Sequence, residues 1–318
     1  MNFQNVSDAP FATDVSEGIT DVSAYWVKTK DGKRVRVVCW AASKAKHGTV
    51  FLLPGRTENV EKYGRTAARF VEEGLAVVAL DWRGQGLSDR LTKDSRMSHV
   101  RRYSDYQYDL EAMISLASGI LGLGKPWYLV GHSLGAGIAL RHLLKSNLFS
   151  ACAFTGPLWG VNLPTLQWTA AWPLSLGAQI IGLGHRYCPG ADGSSYVLST
   201  VFADNRLTND ISMYEYYRSI TRALPDQVIG GPSLQWLFQT LRETMALSKL
   251  PSPSLPCLTF LGDNDEMISK SAVAQRMSSW PLGKLKLIQQ AKHDLMCETP
   301  EVRDHVFSSM VTLFKNSA

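Results

Sequence analysis

The run Gly131-His132-Ser133-Leu134-Gly135 constrains this chain more than any other stretch. Before it stands Pro126-Trp127-Tyr128-Leu129-Val130, a short apolar segment suited to a buried strand. After it, residues 136–144 read as a helix. A serine between a strand end and a helix start, flanked by glycines, sits on a turn too tight for bulkier neighbours. Such a turn lifts the hydroxyl above a sheet, and the helix N-terminus beneath it favours developing negative charge. A weak alcohol presented in this way is a candidate nucleophile, provided that a base, an acid and an oxyanion site stand at suitable places.

Strand and helix patterns alternate around that turn. Residues 24–29 and 33–41 are strand-like and joined by Asp31-Gly32, a hairpin signal. Residues 49–54 predict a strand, and Val60, Tyr63, Ala67, Phe70 and Val71 recur at helical spacing. Residues 75–80 form a strand pattern, 104–119 a helix, 127–130 a strand, 134–146 a helix and 151–155 a strand. The pattern breaks over 157–250. It resumes with a strand at 257–261, a helix at 270–277 and a strand at 285–288. A last helix starts at Thr299-Pro300, with Thr as N-cap, Pro at the first helical position and Val302, Val306, Met310 and Leu313 on its apolar face. This alternation implies an α/β fold, a mostly parallel sheet with helices on both faces. The expected organisation is a core over 1–156, opening with an irregular lead-in at 1–20, a helical insertion over 157–250, and the rest of the core over 251–318.

From Ser146 to His185 there is no Asp, Glu, Lys or Arg. A membrane span over 163–184 is disfavoured by Pro164, Pro173, Gln167 and Gln179, and by the return of sheet strands afterwards. A helical subdomain with its own core accounts for part of this apolarity. Trp159, Leu163, Trp168 and Trp172 are the candidates for an acyl-binding face over the serine.

The chain carries 33 basic and 28 acidic residues for a net charge of +5, and its basic residues form no tract. That argues against nucleic acid and leaves peripheral contact with an anionic membrane surface open. The five cysteines, Cys39, Cys152, Cys188, Cys257 and Cys297, show no CxxC spacing. Neither a metal site nor a disulfide framework is expected, and a reducing cytoplasm fits best. The N-terminal residues lack a secretory pattern.

Seven histidines compete for the role of base. His47 and His99 lie in loops, His132 and His142 flank or follow the serine too closely in sequence to swing back onto it, His185 falls in the insertion and His305 in the last helix. His293 follows the last predicted strand, where open α/β sheets place their chemistry. The orienting acid should fall between serine and histidine. Strand 257–261 ends in Gly262-Asp263-Asn264-Asp265-Glu266, and Asp265 is favoured because the chain turns before presenting it. For the oxyanion, the Leu134 N–H supplies one donor, and the Arg56 N–H in Pro54-Gly55-Arg56-Thr57 the other. Asp81 and Arg83, in Asp81-Trp82-Arg83-Gly84-Gln85-Gly86-Leu87-Ser88, look structural, bracing the site.

Taken together, Leu53–Glu58, Asp81–Ser88, Gly131–Gly135, Gly262–Asp265 and Lys292–Asp294 resemble the α/β-hydrolase superfamily. Within it, the chain is similar to the bacterial lysophospholipase and monoacylglycerol lipase group. Asn205-Arg206-Leu207-Thr208-Asn209-Asp210 and Gly230-Gly231-Pro232-Ser233-Leu234-Gln235-Trp236-Leu237 resemble that group's cap segments. Many relatives carry His-Gly where this chain has Pro54-Gly55. The resemblance implies an α/β-hydrolase fold with an inserted helical cap. It also implies a Ser133–His293–Asp265 triad hydrolysing a single-chain lipid ester through an acyl-enzyme, with no metal or cofactor. The same triad also serves small-ester hydrolysis, acyl transfer and cleavage of amide or carbon–carbon bonds, and the fold also hosts non-catalytic binding proteins.

Overall fold

Alternate residues of the central strands face opposite ways, and this period of two builds two cores. The computed structural model describes residues 6–43, 45–162 and 165–318, the side chains of 165–168 excepted. Its first half contains β1 (Val6–Asp8), β2 (Val22–Lys28), β3 (Arg34–Trp40), β4 (Thr49–Leu53), α1 (Gly64–Glu72), β5 (Ala76–Asp81) and α2 (Tyr106–Ser115). Then follow β6 (Trp127–His132), α3 (Leu134–Leu143) and β7 (Ala151–Thr155). Between β7 and the next strand lie α4 (Thr165–Ile180), α5 (Tyr196–Ser199), α6 (Ile211–Ala223) and α7 (Leu234–Ser248). The chain ends with β8 (Cys257–Gly262), α8 (Lys270–Ser278), β9 (Gly283–Ile288) and α9 (Pro300–Lys315).

The strands form one nine-stranded sheet in the order β1-β2-β3-β5-β4-β6-β7-β8-β9. Pairing is antiparallel from β1 to β5 and parallel from β5 through β9. Phe51, Leu53, Val78, Leu80, Leu129, Cys152 and Phe154 pack on one face with residues of α2, α3 and α8. Their chain neighbours Val50, Leu52, Val77, Ala79, Tyr128, Val130 and Ala153 pack on the other with residues of α1 and α9. Burial on both faces is what parallel strands require, and it explains the unbroken apolar runs.

The sheet differs from the expectation at its first edge. Within the lead-in expected to be irregular, Val6–Asp8 pairs antiparallel with β2, Val6 opposite Val27. Three residues carry too little periodicity to be read, and the free edge of β2 supplies the partner. The helix expected over 104–119 is a 3₁₀ turn at Tyr103–Asp105, then α2, then a π turn at Leu116–Ile120. Thr299 caps α9 by position, without a side-chain hydrogen bond.

In the insertion, α6 and α7 begin at N-caps that satisfy their first amides. Asp210 accepts from Ser212 and Met213, and Ser233 accepts from Trp236. α4 contains Pro173 in its interior. Among the described residues no helix is long and apolar enough to cross a membrane.

Candidate active site

Ser133 occupies the left-handed region of the backbone, with φ 49° and ψ −112°, between β6 and α3. That strained turn needs its glycines. A Cβ on Gly135 would run into the carbonyl of Leu53, and one on Gly131 would come within 2.8 Å of the Ala136 Cα. The turn is pinned because the Ser133 N–H donates to the Thr155 carbonyl at 3.1 Å. Leu134 opens α3, so its N–H belongs to the first turn and has no partner within the helix.

Asp265 and His293 lie in the loops after β8 and β9. His293 Nδ1 stands 2.7 Å from Asp265 Oδ2, and both side chains are buried. Asp265 Oδ1 accepts from the N–H groups of Met267 at 2.8 Å and Ile268 at 3.3 Å. Burial alone would raise the Asp265 pKa. His293 and the two amides outweigh burial, so the carboxyl titrates below its ordinary value. Burial likewise opposes the His293 imidazolium. The Asp265 carboxylate, with Asp294 and Glu58 behind it, prevails and raises the His293 pKa. Of the competing acids, Glu266 pairs with Arg206 at 3.2 Å on the surface.

The loop after β4 is shaped by a buried charge network. Glu58 accepts from the Gly55 N–H, Lys62 Nζ and Tyr63 Oη, each at 2.5 Å. Lys62 Nζ also donates to Asp294 Oδ2 at 2.5 Å. Burial would lower the Lys62 pKa, but Asp294 and Glu58 hold it well above the ordinary value. His132 packs its ring 4.9 Å from that of His293, and its Nδ1 lies 3.0 Å from Thr155 Oγ1. Burial lowers its pKa and keeps it neutral. Glu58, His132 and Asp294 each offer a ligand atom within 4.8 Å of the others. The Lys62 ammonium already bridges the two carboxylates and occupies the space between them, so the donor set does not favour a further cation. Sequence reading missed this network. Its signals were Glu58 and Lys62 four apart beside the loop, and an acid directly after His293.

A cavity of about 210 Å³ joins these parts, and Arg56, His132, Ser133 and His293 line it. Its apolar wall comes from Leu158, Val161, Val197, Leu207, Met267 and Ile268, with Tyr217 and Trp236 from α6 and α7. The four residues expected to bind acyl chains fall elsewhere or outside view. Trp159 is buried in the core, its ring 6.1 Å from Trp280 and its Nε1 3.3 Å from the Ala136 carbonyl. Trp172 stacks on Phe238 at 5.5 Å and lines a separate groove. Leu163 and the side chain of Trp168 lie outside the described residues. Tryptophan-richness located the insertion but not the wall, because core stacking and cavity lining use the same side chains.

Of the two residues expected to brace the site, Asp81 bonds to the segment after β4, whereas Arg83 bonds to α2 and the first hairpin turn. Asp81 accepts from Arg36 Nε at 2.7 Å, the Val60 N–H at 3.0 Å and the Leu87 N–H at 2.9 Å. Arg83 pairs with Asp109 at 2.8 Å and with Asp31, in the first hairpin turn, at 2.7 Å.

Residues 44–300 match the family described as serine aminopeptidase, S33. The chain is 27% identical over 290 residues to lysophospholipase L2 of Escherichia coli, covering 83% of this chain and 79% of that one. It is 24% identical over 265 residues to a probable lysophospholipase L2 of Haemophilus influenzae, covering 82% of each. Among solved structures, a soluble variant of monoglyceride lipase from Saccharomyces cerevisiae, bound to a substrate analog, aligns over 98% of this chain and 99% of that one. Its TM-score is 0.73 at 19% identity. A thermostable carboxyl esterase from Bacillus coagulans aligns over 94% of this chain and 99% of its own, with TM-score 0.74 at 14% identity. These likenesses show an α/β-hydrolase fold.

Proposed function

Because the chain belongs to the serine aminopeptidase S33 family, we propose that it is a serine hydrolase cleaving the carboxylic esters of single-chain lipids. One observation carries this reading: Ser133 and the Asp265-bonded His293 line the same narrow cavity, whose wall is mainly apolar. His293 takes the Ser133 proton at Nε2 as the oxygen attacks the ester carbonyl. Asp265 accepts the Nδ1–H and stabilises the imidazolium. The Leu134 and Arg56 N–H groups hold the oxyanion. The C–O bond breaks, the alcohol leaves with the proton from His293, and an acyl-enzyme remains. Water, deprotonated by His293, then releases the fatty acid. Residues 157–250 act as a cap whose helices supply much of the acyl wall.

The relatives named lysophospholipase, matched over about four-fifths of both chains, support an ester over a peptide substrate. An aminopeptidase site also needs a carboxylate to receive the substrate ammonium. Among the cavity-lining residues the one carboxylate is Glu58, already engaged by Lys62, Tyr63 and Gly55. The test is hydrolysis of lysophospholipids, monoacylglycerols, short esters and amino-acid anilides by the parent and Ser133→Ala. Ester turnover should fall by on the order of 10⁴–10⁶ in the variant, with loss of fluorophosphonate labelling. A variant keeping most of its esterase activity, or a parent faster on anilides, sinks the proposal.

Peripheral membrane contact belongs to the same reading. Ile180 and Ile181, at the end of α4, are 77% and 68% exposed. The neighbouring groove is lined by Trp172 and Gln179 of α4 together with Arg101, Arg102, Arg242 and Lys249. Apolar side chains beside basic ones complement an anionic bilayer. The protein should float with vesicles containing phosphatidylglycerol more than with pure phosphatidylcholine, and Ile180→Ser/Ile181→Ser should weaken flotation. Equal flotation with both lipids would refute the charge argument.

A further inference from the structure

Arg56 is half-buried, and it sits differently from the fully buried cations of this protein. Arg36 is paired with Glu61 and Asp81, Lys62 with Glu58 and Asp294, and Arg83 with Asp109, all at 2.5–2.8 Å. Arg276 has no carboxylate, but its guanidinium donates to the carbonyls of Leu247 and Leu250 and to Ser252 Oγ. Arg56, among the described residues, has one side-chain acceptor: its Nη1 donates to the Gly230 carbonyl at 3.1 Å. The remaining guanidinium donors belong to a residue that lines the cavity of Ser133 and His293.

That placement is built. The guanidinium lies over the Trp236 ring, 5.3 Å from its centroid, and Trp236 Nε1 donates to Tyr106 Oη at 3.3 Å. The Gly230 N–H donates to the Arg96 carbonyl at 2.7 Å, which fixes the loop that holds Arg56. A Cβ on Gly230 would approach the Asp192 carbonyl oxygen to 2.5 Å, so the loop closes this tightly only with glycine. Tyr217 Oη donates to the Thr57 carbonyl at 2.7 Å and anchors the adjoining backbone. Burial lowers the Arg56 pKa, with only tyrosines and Cys188 acting against it. A partly desolvated cation with no carboxylate partner among the described residues is costly, and an enzyme retains one where a ligand supplies the missing charge.

We propose that the Arg56 guanidinium binds the phosphate of the substrate, so that the preferred ester is a lysophospholipid and not a neutral monoacylglycerol. The inference rests on the lipid-esterase reading above and narrows it. One residue then does two things: its N–H faces the ester oxygen, and its side chain reaches the head group. In a 1-acyl glycerophospholipid the glycerol separates the ester carbonyl from the phosphorus by about the length of an arginine side chain. The planar guanidinium suits two phosphate oxygens, whereas the hydroxyls of a bare glycerol head leave its charge uncompensated.

The test compares kcat/KM for three esters of one acyl chain: lysophosphatidylglycerol, 1-acylglycerol 3-phosphate and monoacylglycerol. The parent should prefer the two phosphates. Arg56→Met should lower kcat/KM for each phosphate by about 10–100-fold more than for monoacylglycerol, with Arg56→Lys intermediate. The two phosphates separate a diester head group from a terminal monoester. Loss by the same factor on all three esters overturns the proposal. So does a parent that prefers monoacylglycerol. A parent inactive on all three, yet still labelled at Ser133, brings down the lipid-esterase reading itself. A measurement on the unaltered protein guards against misfolding of the variant. An alkyl ether glycerophosphate should inhibit at a Ki about tenfold or more below that of the matched alkyl glycerol. Equal Ki values overturn the assignment.

Discussion

The ammonium of Lys62 lies 2.5 Å from Asp294 Oδ2, joining residues 232 apart in the chain. Through Glu58, which also takes the Gly55 N–H, the same ammonium ties the loop after β4 to the loop that carries His293. Both proposed oxyanion geometry and the position of the base therefore depend on one buried cation.

Removing that cation leaves two carboxylates facing each other in the interior. Lys62→Met should destabilise the protein by about 3–5 kcal/mol, the usual consequence of orphaning a buried charge. Adding Glu58→Gln and Asp294→Asn removes the orphaned charges and should recover most of the loss. Chemical denaturation of the single and triple variants measures both. A triple variant no more stable than the single one would show that packing, not charge pairing, sets the effect.

His293, the proposed base, can take up a proton only when neutral. Its pKa is raised above the ordinary 6.5 against the opposing effect of burial, mainly by Asp265. The acid limb of kcat/KM should therefore fall off at a pH above 6.5. Asp265→Asn removes the main source of the rise, so the limb should move to lower pH while the rate drops by on the order of 10⁴. A pH–rate profile from pH 5 to 9 on a soluble ester checks both. An unmoved limb would show that another group controls it.

How much of this was legible in the sequence depended on chain distance. Ser133, Asp265 and His293 could be found because each follows a strand pattern, and strand ends in a parallel sheet converge. Unbroken apolar runs made β6 and β8 readable, because those strands are buried on both faces. Glu58, Lys62 and Asp294 stayed hidden because Glu and Lys four apart look like an exposed helical pair, and their partner lies at the far end of the chain. Trp159 misled because a buried indole stacked on Trp280 has the same sequence signature as one lining a cavity. The strand at Val6–Asp8 was invisible because its register comes from β2, not from itself.

The hairpin turn makes a second long-range tie. Arg83 holds Asp31 at 2.7 Å and pulls its pKa from 3.8 to about 2, burial opposing. A carboxyl with a depressed pKa stabilises the fold above its unfolded value. That contribution should be complete above about pH 5 and be lost as pH falls through about 2. The Asp31 side chain is 33% exposed, so solvent screening limits it to roughly 1 kcal/mol or less. Asp31→Asn should lose this increment at pH 7 and match the parent near pH 2. Urea unfolding at the two pH values measures it. An equal gap at both would point to hydrogen bonding rather than charge.

The cavity wall predicts a chain-length profile. Leu158, Val161, Val197, Leu207, Met267 and Ile268 offer apolar surface beside Ser133. Each methylene buried there contributes about 0.8 kcal/mol, or roughly fourfold in kcat/KM, until the slot is full. Activity on p-nitrophenyl esters should therefore climb steeply from acetate and then level off. Val161 is half-buried on this wall, so Val161→Phe fills space without removing a polar contact. In that variant the plateau should come at a shorter chain, with acetate hydrolysis changed least. A flat profile in the parent would mean that the acyl chain lies outside this cavity. A plateau unmoved by Val161→Phe would place it along a different part of the wall.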